Sequence, residues 1–464
     1  ANHLLMVFLA VEMASVPSYA LAGLLKGRRQ SSEAALKYAV FGAGTAGVML
    51  YGISLLAGVL GSAHLPTMAV NLAQMLQTGL DPGRTTVLAL AGLMVMVGLA
   101  FKLSAVPFHF WCPDVFEGAS AEVNAFLSVA SKAAALGLLV RVALGFAYVP
   151  EPRTPAGPSA QVAVLYSVAD QVPTTPAPAS ETGTASTEGH AATPAADHAR
   201  EHPAAVAPPV QHLSPAEATR ALSPVRRYMV SLIAFLAAIT CTFGNLAAYG
   251  QTNIKRLLAY STIAHAGYMM MPVAAAVALV GRADQTPTRL FGQSAPIGPA
   301  EGAIAALVFY TATYLFMNLG AFAVVAFLRN AMRSEEIEDY AGLLRNCPGV
   351  VICFSIILLS LIGIPPMSGF IAKFLAFGTL VDSGLLWLLV IGGLNTAISL
   401  FYYLRIIKTM TLDPEPDRRL PVQLSLLSRP GLYIAFLTVW VVALGIWFNW
   451  LNEWSLTATH DLLS

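Results

Sequence analysis

The sequence predicts an all-α polytopic membrane protein, and three observations carry that prediction. Of 464 residues 56% are hydrophobic and only 11% are charged, where soluble domains hold about 25% charged residues. The mean hydropathy is +0.66. The apolar residues also fall in long runs, more than a globule can bury, so the natural solvent for most of the chain is a bilayer. An ordinary soluble enzyme is thereby excluded. The formal net charge of +1, from 26 Lys+Arg against 25 Asp+Glu, leaves no electrostatic footprint for nucleic acid. Cys112, Cys241, Cys347 and Cys353 show no CxxC or CxxH spacing that signals zinc, iron–sulfur or haem attachment. Residues 1–25 have no basic n-region and no small-residue cleavage site, so they do not read as a signal peptide. The first residue is Ala, and the start reads as cut or processed.

A membrane span needs about 20 mostly apolar residues. The stretches that qualify are 3–25, 34–60, 85–111, 121–148, 226–249, 254–281, 302–328, 349–378, 386–410 and 431–451. Threading them back and forth places Lys26, Arg28, Arg29, Lys255, Arg256, Arg329, Arg333, Arg345, Arg405, Lys408, Arg418, Arg419 and Arg429 on one side. The other side collects mainly Arg84, Arg226, Arg227, Arg282 and Arg289. Positive residues stay cytoplasmic, so the first group faces the cytoplasm and both ends of the chain face outwards. Residues 61–84 form a shorter outer loop in which MAVNLAQML reads as an amphipathic surface helix. Residues 150–225, rich in Pro, Ala, Thr and Ser, have too little hydrophobic patterning for a core and read as a disordered external linker. His190, His198, His202 and His212 lie in it at irregular spacing without a cysteine partner, so solvated linker outweighs a metal site. The chain therefore divides into spans 1–149, linker 150–225 and spans 226–464.

A Lys or Asp at the bilayer centre costs roughly 2.5–3.5 kcal/mol, and Glu is penalised for the same reason, which makes each mid-span charge a functional candidate. Glu12, Lys37, Lys102, Lys132 and Lys373 are such charges, and His265 lies in the 254–281 span. Any one of them alone reads equally well as a structural ion pair. Several together favour function, because a purely structural core is built more cheaply from Leu. A buried amine loses proton affinity by desolvation and regains it beside a carboxylate, so a movable Glu12 would load and empty Lys102.

Two spans are interrupted by proline beside a lysine. Lys102 lies shortly before Pro107, and Gly363, Pro365, Pro366 and Gly369 precede Lys373. Proline breaks a helix, and irregular backbone at membrane depth survives only where it lines protein or a wet cavity. Broken helices in corresponding positions of two halves point to a transporter with inverted repeats, the simpler alternative being a kink. Soluble chemistry has no signature here, since the chain lacks a phosphate loop, GxSxG, HExxH and a GxGxxG after a strand. Met269, Met270 and Met271 read as packing.

With these residues in view, the chain resembles a known family. SSEAALKYAVFGA (31–43), AFKLSAVPFHFWCPDVFEGA (100–119), SKAAAL (131–136), NIKRLLAYSTIAHAGYMM (253–270) and GIPPMSGFIAKF (363–374) are similar to the antiporter-like membrane subunits of respiratory complex I, the proton-translocating NADH:quinone oxidoreductase. Within it, SSEAALKY points to the N-type branch, and Lys rather than Glu at 373 argues against the M-type. The resemblance implies an inverted-repeat, antiporter-like fold with two discontinuous transmembrane helices. It implies that Glu12 is the buried glutamate of the family's fifth helix, Lys102 the lysine of the broken seventh, Lys132 that of the eighth and Lys373 that of the broken twelfth. His265 falls in the motif of the tenth, on a hydrated axis. The family has about fourteen helices, so residue 1 falls near the start of the fifth, and 150–225 stands where the family has a short connection.

The activity so implied is proton translocation from the cytoplasm outwards through the buried Lys/Glu relay of Glu12, Lys102, Lys132 and Lys373, with His265 and Lys37 as secondary candidates. The chain itself is expected to bind no cofactor; NADH, FMN, iron–sulfur clusters and quinone are expected in partner subunits. Expected partners are the other complex I membrane subunits, including the neighbouring antiporter-like subunit M and small subunits, and membrane lipids, in a bacterial inner membrane. Two alternatives stay open: a cation/proton antiporter or membrane-bound hydrogenase subunit, and a structural membrane scaffold.

Overall fold

The computed structural model describes residues 2–149, 213–281, 298–417 and 419–463, with side chains to residue 459. Among them the chain is helical, with no β pairing beyond isolated bridges such as His3 with His64. The first half comprises α1 (Leu4–Ala22), α2 (Arg29–Leu60), α3 (Leu65–Thr78), α4 (Pro82–Leu103), α5 (Trp111–Gly118) and α6 (Ala121–Ala147). The second begins with the short α7 (Pro215–Ala221), followed by α8 (Ser223–Ala248), α9 (Ile254–Leu279), α10 (Pro299–Met332) and α11 (Leu343–Asn346). It ends with α12 (Pro348–Ile362), α13 (Ser368–Ser383), α14 (Leu386–Thr411), α15 (Arg429–Ile446) and α16 (Phe448–Leu463). Nine of these described helices are long and apolar enough to cross a bilayer. Residues 150–214 form a separate unit, nearly all of it, including His190, His198, His202 and His212, outside the described residues, as are Arg282, Arg289 and Arg418.

Three differences from the expected spans have physical causes. The 85–111 stretch stops at Leu103, where Ser104 takes a left-handed φ of 57°. The 349–378 stretch divides at Gly363, with φ 92°, into α12 and α13. The 150–225 range is helical at its end, because Pro215 and Pro224 each open a helix, the position where proline's missing donor does no harm. The expected surface helix is α3, which buries Leu65, Met68, Ala69, Leu72 and Ala73, one face of a 3.6-residue period.

Caps set the helix starts: Ser120 accepts from Val123 N, and Asn253 from both Lys255 N and Arg256 N, which satisfies donors that have no intrahelical partner. The core runs along α9, where 94% of the apolar window is buried against 28% in α1 and α2. Backbone approach brings α8 against it. A Cβ on Gly244 would stand 2.6 Å from Ala264 N, and one on Gly267 2.5 Å from Cys241 N. Small residues at such crossings are how membrane helices gain contact without a hydrophobic drive.

Candidate functional site: a buried lysine row between two broken helices

Where α4 and α12 stop inside the protein, their last carbonyls have no intrahelical donor. A lysine meets each set. Lys132, from α6, donates to Leu103 O at 3.1 Å and to Thr262 O at 3.3 Å. Lys373, from α13, donates to Leu361 O at 3.2 Å and Ile362 O at 2.9 Å. A cation at a helix C-terminus is favourable both as a donor and against the helix dipole. Lys132, Lys373, Lys102 and His265 are 1%, 4%, 6% and 2% exposed.

Lys102 is held differently, lying over the rings of Tyr19 and Tyr38 at 5.6 and 5.5 Å from their centroids. The two rings meet edge to face at 4.7 Å. Tyr38 in turn stacks on Trp111 at 4.2 Å, and the Trp111 indole donates to Phe101 O at 3.0 Å. The aromatic cage is therefore fixed to both sides of the break in the first half.

Helix α9 joins the two lysine-capped ends. Its Thr262 carbonyl receives Lys132, its His265 Nδ1 lies 3.0 Å from Tyr310 OH, and its Tyr268 ring lies 4.5 Å from Lys373 Nζ. Residues 262, 265 and 268 succeed one another three apart and so share one face of the helix. Further polar groups line the same region: Asn245 Nδ2 donates to Tyr268 OH at 3.2 Å, and Tyr402 OH donates to Asn245 Oδ1 at 3.0 Å. Among the described residues, both polar atoms of the fully buried Asn318 and the hydroxyl of Tyr314, one turn apart on α10, have no hydrogen-bond partner.

Of the sequence-predicted residues, the structure brings Lys102, Lys132, His265 and Lys373 into this row. Glu12 stands beside it: it is partly exposed on α1, on the face that also carries Ser15 and Tyr19, and no ion pair within 4 Å joins it to Lys102 among the described residues. Lys37 is outside it, half-exposed and paired with Glu33 at 2.8 Å and Asp114 at 2.7 Å. Sequence reasoning missed the tyrosines and Asn245, because a span scan weighted for charge passes over neutral polar side chains. It also missed Lys255, counted as a loop cation but buried to 1%.

The family model for the transmembrane region described as NADH:quinone oxidoreductase/Mrp antiporter matches residues 1–166, 204–281 and 296–399. The chain belongs to this family. Among its relatives, an NADH-quinone oxidoreductase subunit N from Anaeromyxobacter sp. (strain Fw109-5) is 34% identical over 98% of this chain and 73% of its own length. One from Desulfitobacterium hafniense (strain DSM 10664 / DCB-2) is 33% identical over 100% and 75%. Among solved structures, respiratory complex I from Thermus thermophilus with bound aureothin matches with a TM-score of 0.63 and 28% identity, over 98% of this chain and 75% of that one. The Mrp complex from Dietzia sp. DQ12-45-1b matches with a TM-score of 0.67 at 18% identity, over 100% and 74%, a likeness of fold. The antiporter-like, inverted-repeat family fold with its two discontinuous helices is the fold described above.

Proposed function

We propose that the chain is a proton-translocating membrane subunit of a bacterial NADH:quinone oxidoreductase. Protons enter from the cytoplasm, reside on Lys132 and Lys102, pass along Thr262, His265 and Tyr268 to Lys373, and leave outwards. Glu12 acts on Lys102 through the face it shares with Tyr19. The basic loops, with Lys26, Arg28, Arg329 and Arg405, face the cytoplasm, and the C-terminus faces outwards. NADH, FMN, iron–sulfur clusters and quinone belong to partner subunits, with subunit M and the small membrane subunits as neighbours. Quinone reduction there drives the protons here.

The observation that carries this reading is the row itself, three lysines and a histidine buried at two broken helices, with Lys132 and Lys373 meeting the α9 helix that carries His265. The ammonium donors support it further. Lys132 and Lys373 each direct two donors at carbonyls, and an ammonium has three. The third proton is therefore free to leave while the amine keeps both carbonyl bonds. Moving one charge against 100 mV takes about 2.3 kcal/mol, which corresponds to about a fiftyfold change in proton affinity.

The test is NADH-driven proton uptake into inverted vesicles at matched complex content. Lys102→Ala is expected to assemble and to lose coupled uptake; normal uptake refutes Lys102 as a carrier. A scaffold reading has its own observation, that Lys132 and Lys373 cap the broken helices. It predicts that Lys102→Ala, too, fails to accumulate assembled complex.

A further inference from the structure

Lys255 is a buried lysine that the proposed pathway does not use. It opens α9, and its ammonium donates to Glu117 O at 2.8 Å and Ala119 O at 2.9 Å. It also pairs with Glu335 at 2.9 Å, and Arg329 holds Glu335 from α10 at 3.2 Å. All three of its donors are engaged, unlike those of Lys132 and Lys373.

The two carbonyls close the end of α5, where a cation meets the negative pole of the helix. The next residue, Arg256, pairs with Asp114 at 3.1 Å and Glu117 at 2.7 Å on the same helix. At its opposite end α5 begins with Trp111, which stacks on Tyr38 at 4.2 Å, and Tyr38 underlies Lys102. Eight helical residues make a rod about 12 Å long. One end of that rod is tied to α9 and the other supports the Lys102 cage.

We infer that Lys255 is a positioning residue for Lys102: it pins α5 to α9 and so ties the aromatic floor beneath Lys102 to the helix that carries Thr262, His265 and Tyr268. This rests on the proton-transfer reading of Lys102. Cys112, in the first turn of α5 and 0% exposed, reports the pin without reference to pumping.

In membrane vesicles carrying the whole complex, Cys112 labelling by a membrane-permeant maleimide is read by peptide mass spectrometry beside proton uptake per NADH oxidised. Lys255→Met removes all three contacts and is expected to speed Cys112 labelling at least about tenfold, the effect of losing even one charge-assisted hydrogen bond, and to lower uptake per NADH several-fold; Lys255→Arg is expected to keep both near wild type. Unchanged labelling in Lys255→Met overturns the inference, as does faster labelling with uptake intact. Lys102→Ala in the same series isolates the underlying reading, because intact uptake there refutes the relay while labelling still reports the pin. Should Lys255→Met not assemble, Lys255→Gln, which keeps a donor but neither the charge nor all three contacts, is read by the same two assays, with faster labelling and lower uptake expected and unchanged labelling overturning the inference.

Discussion

Replacing Gly363 with alanine tests whether the position of Lys373 matters apart from the stability of the helix around it. Gly363 ends α12 with φ 92°, and a Cβ there would lie 3.0 Å from Lys373 Cδ. The left-handed backbone alone penalises a side chain by about 1–2 kcal/mol. The contact adds something specific, because the lysine stem must give by a few tenths of an ångström, and the variant tests whether that shift breaks the ammonium's bond to Leu361 O or Ile362 O, now at 3.2 and 2.9 Å. A hydrogen bond from a charged group is worth about 1.5–3 kcal/mol, so losing one lowers the population of the placed lysine about tenfold or more.

Gly384 supplies the control. It ends the following helix, α13, with φ 77°, and a Cβ there meets nothing within 4 Å. Gly384→Ala therefore carries the backbone penalty without the collision. Both variants are to be compared in inverted vesicles at matched complex content, by NADH-driven proton uptake and by thermal inactivation. Both are expected to inactivate at lower temperature than wild type, and only Gly363→Ala is expected to lose most of its coupled uptake. Equal uptake in the two variants refutes the claim that Lys373 works from the position its capping bonds define.

Gly42→Ala is expected to lower uptake at normal quinone-reductase content, because a Cβ at Gly42 collides with the Tyr19 hydroxyl and must push that ring from beneath Lys102; unchanged uptake refutes the cage. Lys37→Ala is expected to change both stability and uptake little, since partly exposed ion pairs contribute about 0–1 kcal/mol; a large loss of uptake returns Lys37 to the relay. Cys347, in the loop before α12 and 1% exposed, has its thiol pushed up to about 11 by burial. The protonated thiol is the unreactive form, so maleimide labelling of Cys347 at pH 8 is expected to be slow. The sign for stability is a loss as pH rises above about 9, where the unfolded chain ionises first; fast labelling at pH 8 contradicts the burial.

Much of this architecture is legible in the sequence because the bilayer makes each deviation from apolar helix expensive. Pro107 and the Gly363 to Gly369 cluster announced the two breaks, and Lys102, Lys132 and Lys373 announced themselves as charges where charges are penalised. What stayed hidden are partnerships between distant segments. Nothing near Lys132 shows that its amine reaches Leu103 O, nor that Lys255 crosses to Glu117 and Ala119, since carbonyl partners leave no mark on the residue type. Tyr19 and Tyr38 were equally silent, being ordinary aromatic residues of apolar spans until a cation stands over both. Lys37 misled for the opposite reason. Its place inside an apolar run concealed that α2 begins at Arg29, early enough for Lys37 to reach Glu33 and Asp114.

The two roles open to Lys132 and Lys373, cap and carrier, are compatible, and that compatibility is testable. A lysine that uses two of its three donors on carbonyls releases the third proton without uncapping the helix, so the fold need not give way for the charge to move. Arginine separates the roles. It supplies donors to the same carbonyls but holds its charge throughout the accessible pH range. Lys373→Arg is therefore expected to accumulate assembled complex, where Lys373→Ala leaves the C-terminal carbonyls of α12 uncapped, and yet to lose proton uptake at matched content, because no proton can leave the guanidinium. Uptake restored by arginine to the wild-type level would show that capping alone is required, and the scaffold reading would then account for Lys373.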